Sequence, residues 1–299
     1  MRVDVGKRTT ALSEIPPRVT EWQRFRRVFF ARGLVVSGLV VLVLLLLAAI
    51  FAKWLAPYDP YQQHMGNALQ PMTWKHLLGT DQFGRDTLSR LIFGSRTAIM
   101  VGFISVSLAA FIGITLGVIA GYFGKVTSMI IMRFIDTMMA FPLILLALLI
   151  AALLGGGMKN LILALAIATI PPYARIMNGE TLSIKENDYI LALRSMGAGH
   201  PRIIFNHILQ NAFPPIMVLM TLQLGQLILT EASLSFLGIG IEAPVAAWGS
   251  MVYDGYRYLL TNPVLSIAPG ACIMVVVFAF NMVGDGLIDA LDPRLRGTL

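Results

Sequence analysis

The chain has 299 residues, 57% of them hydrophobic and 13% charged, with a formal net charge of +7. Soluble domains carry about 25% charged residues, so this composition excludes a soluble globular domain. Nucleic acid is not expected as a partner: eight of the 23 Lys and Arg precede Gly33, beside the first apolar run, where they set topology and meet anionic lipid at about 1 kcal/mol each.

Residues 1–32 are polar and basic, with Pro16 and Pro17 in an early loose part. From about Thr20 to Arg32 the pattern fits an interfacial helix. Trp22, Phe25, Phe29 and Phe30 would insert, leaving Arg24, Arg26, Arg27 and Arg32 toward water. The first apolar run begins near residue 33 and is too long for a signal-peptide core, so it is expected to be an uncleaved span. Span one covers about Leu34–Leu55. A polar loop follows to Arg96, with a turn at Gly79-Thr80-Asp81 and a short surface helix expected over Asp86–Phe93.

Span two covers about Thr97–Tyr122 and repeats Gly113, Gly117 and Gly121 on one face. Small residues every fourth position let helix backbones approach closely in lipid, so helix packing is their expected use. Span three is expected over Ile135–Leu154, with Pro142 in its first turns and Asp136 near its inner end. Span four runs from about Leu161 to Met177, with Pro171 and Pro172 in its last turns.

Lys185–Pro215 is the longest polar break in the second half of the chain. One helix is expected from about Asp188 to Met196, capped by Asn187 or Asp188 and closed by a left-handed Gly197. A second starts at Pro201, with Ile203, Ile204, Ile208 and Leu209 at helical spacing. Gly197-Ala198-Gly199 turns the corner between them. Span five covers about Ala212–Ile239. Its Gln223, Gln226 and Thr230 share a face and are candidate pathway-lining residues. Glu231 joins them, because a carboxylate deep in lipid costs at least ~2.5–3.5 kcal/mol and must face protein or water. A structural hydrogen bond for Glu231 is the alternative. A second outer loop, with Trp248, Tyr253, Tyr256 and Tyr258 suited to the interface, leads to span six, about Val264–Met282. The lone Cys272 has no disulfide partner and fits a small core position.

Six spans make this an all-α membrane protein. With both termini cytoplasmic, 16 Lys and Arg lie on inner segments and seven on outer ones, which places the 185–215 elbow in the cytoplasm. No catalytic constellation is present. The four histidines lack ligand-spaced partners, no phosphate loop occurs, and no cofactor or metal site is expected.

Several segments resemble the permease subunits of binding-protein-dependent ABC importers, in their dipeptide, oligopeptide and nickel branch. In the first outer loop Gly79, Thr80, Asp81, Gly84, Arg85, Asp86, Ser89, Arg90, Gly94 and Arg96 match the family's Gly-Thr-Asp-x-x-Gly-Arg-Asp signature and its continuation. The elbow is similar to the family's coupling loop. Ala192 and Gly197 fit the wider pattern, whose Glu and final Pro are absent, and Tyr189, Ala198, His207 and Asn211 fit the peptide branch. Residues 231–238 and 284–296 resemble further signatures of the family.

That resemblance implies a type I ABC importer permease in a bacterial or archaeal cell membrane, not an enzyme itself. Residues 1–96 would form the cytoplasmic segment, first span and outer loop. Residues 97–299 would form the core, with the coupling loop at about 178–211. The expected partners are a second homologous permease, two cytoplasmic ABC ATPases, an extracytoplasmic solute-binding protein and the lipid bilayer. Tyr189, Ala192, Arg194, Gly197, Ala198, Arg202 and His207 would meet an ATPase, the two arginines pairing with acidic residues there. Dipeptides or oligopeptides are the expected solutes, with nickel as the alternative. An ion-gradient-driven carrier is the alternative from another class, although no clear internal repeat supports it.

Overall fold

The computed structural model describes residues 20–291, which are helices and connecting loops without a strand. Pro16, Pro17, Arg294 and Arg296, and the side chain of Arg24, lie outside what is described. Among the described residues five helices are long and apolar enough to cross a membrane, and one bent helix pair would bring the number to six if it is a single span.

Helix α1 (Glu21–Phe29) starts at a capping box, in which Thr20 and Gln23 exchange side-chain-to-backbone hydrogen bonds. Trp22, Phe25 and Phe29 stack along one side at centroid distances of 5.7 and 5.5 Å. After α2 (Gly33–Ile50) and the single turn α3 (Ala52–Leu55), a long loop leads to α4 (Thr87–Phe123). The expected surface helix at Asp86–Phe93 is therefore no separate element: it forms the first turns of a 37-residue helix. No proline interrupts it, and Gly94 sits inside it because a Cβ there would lie 2.5 Å from the Trp248 ring.

The chain reverses at Gly124 (φ 64°) into α5 (Lys125–Met139). Helix α6 (Leu143–Leu154) follows at a bend of 93°. The expected third span is thus not one continuous helix. Pro142, without an N–H, stands before the first turn of α6 at the break. Helix α7 (Met158–Lys185) runs through Pro171 and Pro172, where the sequence suggested an end. Such prolines persist where neighbouring protein encloses the freed carbonyls, and Ala168, whose carbonyl Pro172 leaves without its donor, is buried.

Helices α8 (Asp188–Ser195) and α9 (His200–Ile203) form the elbow. The second elbow helix does not stop. A π turn at Ile204–Ile208 carries it into α10 (Leu209–Phe236), so one 37-residue helical stretch runs from His200. A short α11 (Trp248–Tyr256) precedes α12 (Val264–Leu291). Helix α1 packs on α12 through Phe29, Val283 and Ala290, and Arg32 pairs with Asp289 at 2.6 Å.

The most extensive helix pair is α4 against α7. Cβ atoms on Gly113, Gly117 and Gly121 would stand 2.5–2.7 Å from Tyr173, Ala174 and Thr181 atoms of α7. Gly117→Leu is therefore expected to separate the two helices and cost at least about 1–3 kcal/mol by overpacking. The fraction running as folded monomer on detergent gel filtration checks this, and an unchanged profile would refute the close approach.

Candidate functional site

The elbow is held from inside and bare outside. Ile190 of α8, Ile203 of α9 and Ile208 of the π turn are fully buried against Val118, Tyr122 and Met177. Asn187 stands at the N-cap of α8 but makes no side-chain cap bond. At the other end, Gly197 (φ 83°) donates to the Arg194 carbonyl at 2.9 Å, and Ala198 donates to the Leu193 carbonyl at 3.0 Å. This 5→2 and 6→1 pair closes the helix with a left-handed residue, and Leu193 and Ala198 both pack on the buried cluster. On the open side Tyr189, Leu191, Ala192, Met196 and Phe205 are exposed, as are Arg194 and Arg202. His207 is half-buried beside Tyr189, whose hydroxyl accepts from Asn211 at 3.3 Å.

Tyr122, the penultimate residue of α4, ties this elbow down, and no motif singled it out. Its hydroxyl is 2.8 Å from Nδ1 of His200. The Arg194 guanidinium lies 5.2 Å from its ring centroid. Its carbonyl accepts from Lys185 Nζ at 2.8 Å, which satisfies one open carbonyl at the end of α4. The one available signal was position: an aromatic pair, Tyr122-Phe123, immediately before the Gly124 reversal.

At the opposite end of the bundle, the first-loop signature folds into a buried polar knot. Asp81 accepts from Arg85 Nε at 2.6 Å and from the Phe83 and Arg85 backbone N–H groups. Arg85 and Arg90 are both almost fully buried, and Arg90 donates to the Pro60 and Pro244 carbonyls. Asp86 accepts from Ser89 N and Oγ at 2.8 and 2.7 Å and meets His76 Nδ1 at 2.9 Å. Thr80 links Gln70 to the Asn67 carbonyl. Gly79 and Gly84 have positive φ, and a Cβ on Gly84 would overlap the His64 carbonyl. Burial raises the Asp254 carboxyl above its ordinary value, opposed by Arg85 and Arg90. The signature thus builds structure here. His76 is engaged by Asp86 and, among the described residues, no three His, Cys, Asp or Glu gather as metal ligands.

The outer-loop aromatics divide. Tyr253 and Tyr256 are exposed, but Trp248 is buried and donates its indole N–H to the Leu91 carbonyl at 2.9 Å, joining α11 to α4. Cys272 lies half-buried in an apolar groove beside Leu45, Leu91 and Trp248. On α10, Gln226 is exposed and Gln223 half-buried. Thr230 is buried and donates to the Gln226 carbonyl at 2.8 Å. Glu231 is buried and accepts from Ser235 Oγ at 2.8 Å, and Ser235 Oγ in turn accepts from Ile241 N. Thr230 and Glu231 therefore face protein within this chain.

Comparison with known proteins supplies the class. Residues 113–297 match the family of binding-protein-dependent transport system inner membrane components. Residues 20–71 match the N-terminal membrane domain of oligopeptide transport permease C. A dipeptide transport system permease protein of Alkalihalophilus pseudofirmus is 41% identical over 93% of this chain and 91% of its own. A glutathione transport system permease protein of Pectobacterium atrosepticum is 40% identical over 93% and 92%. A chain from inward-facing conformations of the MetNI methionine ABC transporter shares the fold, with a TM-score of 0.56 and 20% identity over 68% of this chain and 96% of that one. With its membrane-length helices, the chain is a multi-pass membrane protein and belongs to the family of binding-protein-dependent transport system inner membrane components.

Proposed function

We propose that this permease subunit forms half of an ATP-driven import pathway for dipeptides and short oligopeptides. Relatives named for dipeptide, di/tripeptide and glutathione transport, each about 40% identical over more than nine-tenths of this chain, carry the reading. Family membership implies an ATPase and a solute-binding protein as partners. The finer arrangement proposed is one homologous permease alongside, two ATPases on the elbow side and the binding protein on the knot side. Peptide is preferred to nickel because His76 is engaged by Asp86 and, among the described residues, no three His, Cys, Asp or Glu gather as metal ligands.

The elbow is the proposed ATPase contact. Its bare face has an apolar centre of Tyr189, Ala192 and Met196 flanked by exposed Asp188, Arg194 and Arg202, and the two arginines would pair with acidic residues of an ATPase groove. Its buried isoleucines would pass a push on that face into α4, α7 and α10. A rigid lever of this kind can bias a two-state pathway. Gln226 remains a candidate pathway contact on α10, with Gln223 beside it.

The test is reconstitution of the full assembly in liposomes with labelled Ala-Ala. Uptake should need internal or external ATP on the ATPase side and the loaded binding protein, and should survive collapse of ion gradients. Uptake driven by a gradient without ATP would refute it. Gly197→Val should also lower coupling, because a β-branched residue at φ 83° costs at least about 1–2 kcal/mol and opens the end of α8. The readout is Ala-Ala imported per ATP hydrolysed, and an unchanged ratio would remove the elbow from the mechanism.

A further inference from the structure

Asp136 of α5 and Arg175 of α7 form an ion pair, Arg175 Nη2 to Asp136 Oδ1, whose side chains are 48% and 51% exposed. The expected spans put Asp136 near the inner end of span three and Arg175 in the last turns of span four. The structure moves Arg175 inward, because α7 continues ten residues past it to Lys185. At 1.5 Å per residue, Arg175 lies about 26 Å from the Met158 end and about 15 Å from the Lys185 end. A hydrocarbon core is about 30 Å thick, so Arg175 falls within it whichever end of α7 carries the excess length. Exposed charges at that depth do not face lipid; they face protein or a water-filled cavity.

The neighbouring surface agrees. From Leu161 to Ala174, only Leu163 of α7 is exposed. An open stripe begins at Arg175 and continues through Gly179 and Leu182, spaced four and three on one face, down to the elbow. Across from it, Arg133, Asp136 and Thr137 are open on α5 beside the exposed Phe134 and Met139, just before the 93° break to α6.

We propose that Asp136 and Arg175 form a solute-contact site in the translocation pathway, matched to a zwitterion with a free ammonium and a free carboxylate. This rests on the permease reading above and names the residues that meet its solute. A neutral pair of opposite charges repels neither end of a zwitterion. When the pair parts, Arg175 receives the carboxylate and Asp136 the ammonium, so one internal contact is exchanged for two with the solute. The stripe at Gly179 and Leu182 then leads from this site to the elbow side.

Two measurements test it. The first is thiol labelling of the full assembly in lipid nanodiscs, on a Cys272→Ser background that removes the native cysteine. Gly179→Cys and Arg175→Cys should react with a membrane-impermeant maleimide in the ATP-free state, and Leu163→Cys should not. Unlabelled Gly179→Cys and Arg175→Cys would show the stripe covered by lipid or by the second permease, and would overturn the proposal. The second is Ala-Ala uptake at saturating loaded binding protein. Asp136→Asn and Arg175→Gln should each lower it about tenfold or more, the loss of one charge-assisted hydrogen bond. The exchanged pair, Asp136→Arg with Arg175→Asp, should restore the thermal midpoint without restoring uptake. Uptake by the exchanged pair within about twofold of the parent would make the contact a bolt between α5 and α7 and overturn the proposal. Failure of the parent to import Ala-Ala with ATP would count against the functional reading, and the labelling would still decide whether this face is wet.

Discussion

Asp81→Ala should unfold the knot end of the bundle. The Asp81 carboxylate is the nearest anion to two buried guanidiniums, Arg85 at 2.6 Å and Arg90 at 3.6 Å, whose side chains are 2% and 3% exposed. Removing one partner of a buried ion pair leaves an uncompensated charge, and the cost is about 3–5 kcal/mol. Asp254 offsets part of this, since its charge also reaches Arg85 and Arg90. Two backbone donors, Phe83 N and Arg85 N, lose their acceptor as well. The thermal midpoint in nanodiscs should fall by about 6–20 °C, at about 2–4 °C per kcal/mol. Asp81→Asn, which keeps an acceptor oxygen but not the charge, separates the electrostatic part from the hydrogen bonds. A midpoint within about 2 °C of the parent for Asp81→Ala would show that Arg85 and Arg90 are solvated rather than buried.

This knot also shows how far the chain could be read before its structure. Local rules located Gly79 and its turn, the left-handed end of α8 at Gly197 and the small-residue face of α4, because each depends on neighbours within a few positions. The family resemblance marked Asp81, Arg85 and Arg90 without saying what they do. The role of Arg90 depends on Pro60 and Pro244, which are 30 and 154 residues from it. Helix limits failed where proline was the guide. Pro142 marks a break because its neighbours Ala140 and Phe141 are exposed, whereas Pro171 is buried and α7 passes through it. The same error placed Arg175 in the last turns of the expected span four, near the inner surface, whereas α7 continues ten residues past it. Trp248 was expected at the interface from its residue type, yet a distant carbonyl, that of Leu91, claims its indole.

Tyr122→Ala should uncouple the elbow. The proposed lever works only if α8 and α9 move with the bundle, and three contacts converge on this residue. The Tyr122–His200 hydrogen bond contributes about 1 kcal/mol. The Arg194 guanidinium over the ring adds about 0.5–1 kcal/mol at its exposed position. The ring itself is 4% exposed, and removing a buried aromatic costs about 3–5 kcal/mol. Lys185 binds the Tyr122 backbone carbonyl, so that link survives the substitution and holds the end of α7 near α4. The elbow should therefore loosen while the bundle stays folded. Ala-Ala imported per ATP should fall about tenfold or more, since 1.4 kcal/mol is already a factor of ten. Tyr122→Phe keeps the ring and loses only the hydroxyl, so its loss should be several-fold smaller, and His200→Ala should resemble it. Equal losses for Phe and Ala would assign the whole effect to the hydroxyl. A parental import ratio in Tyr122→Ala would mean that the buried isoleucines alone carry the motion.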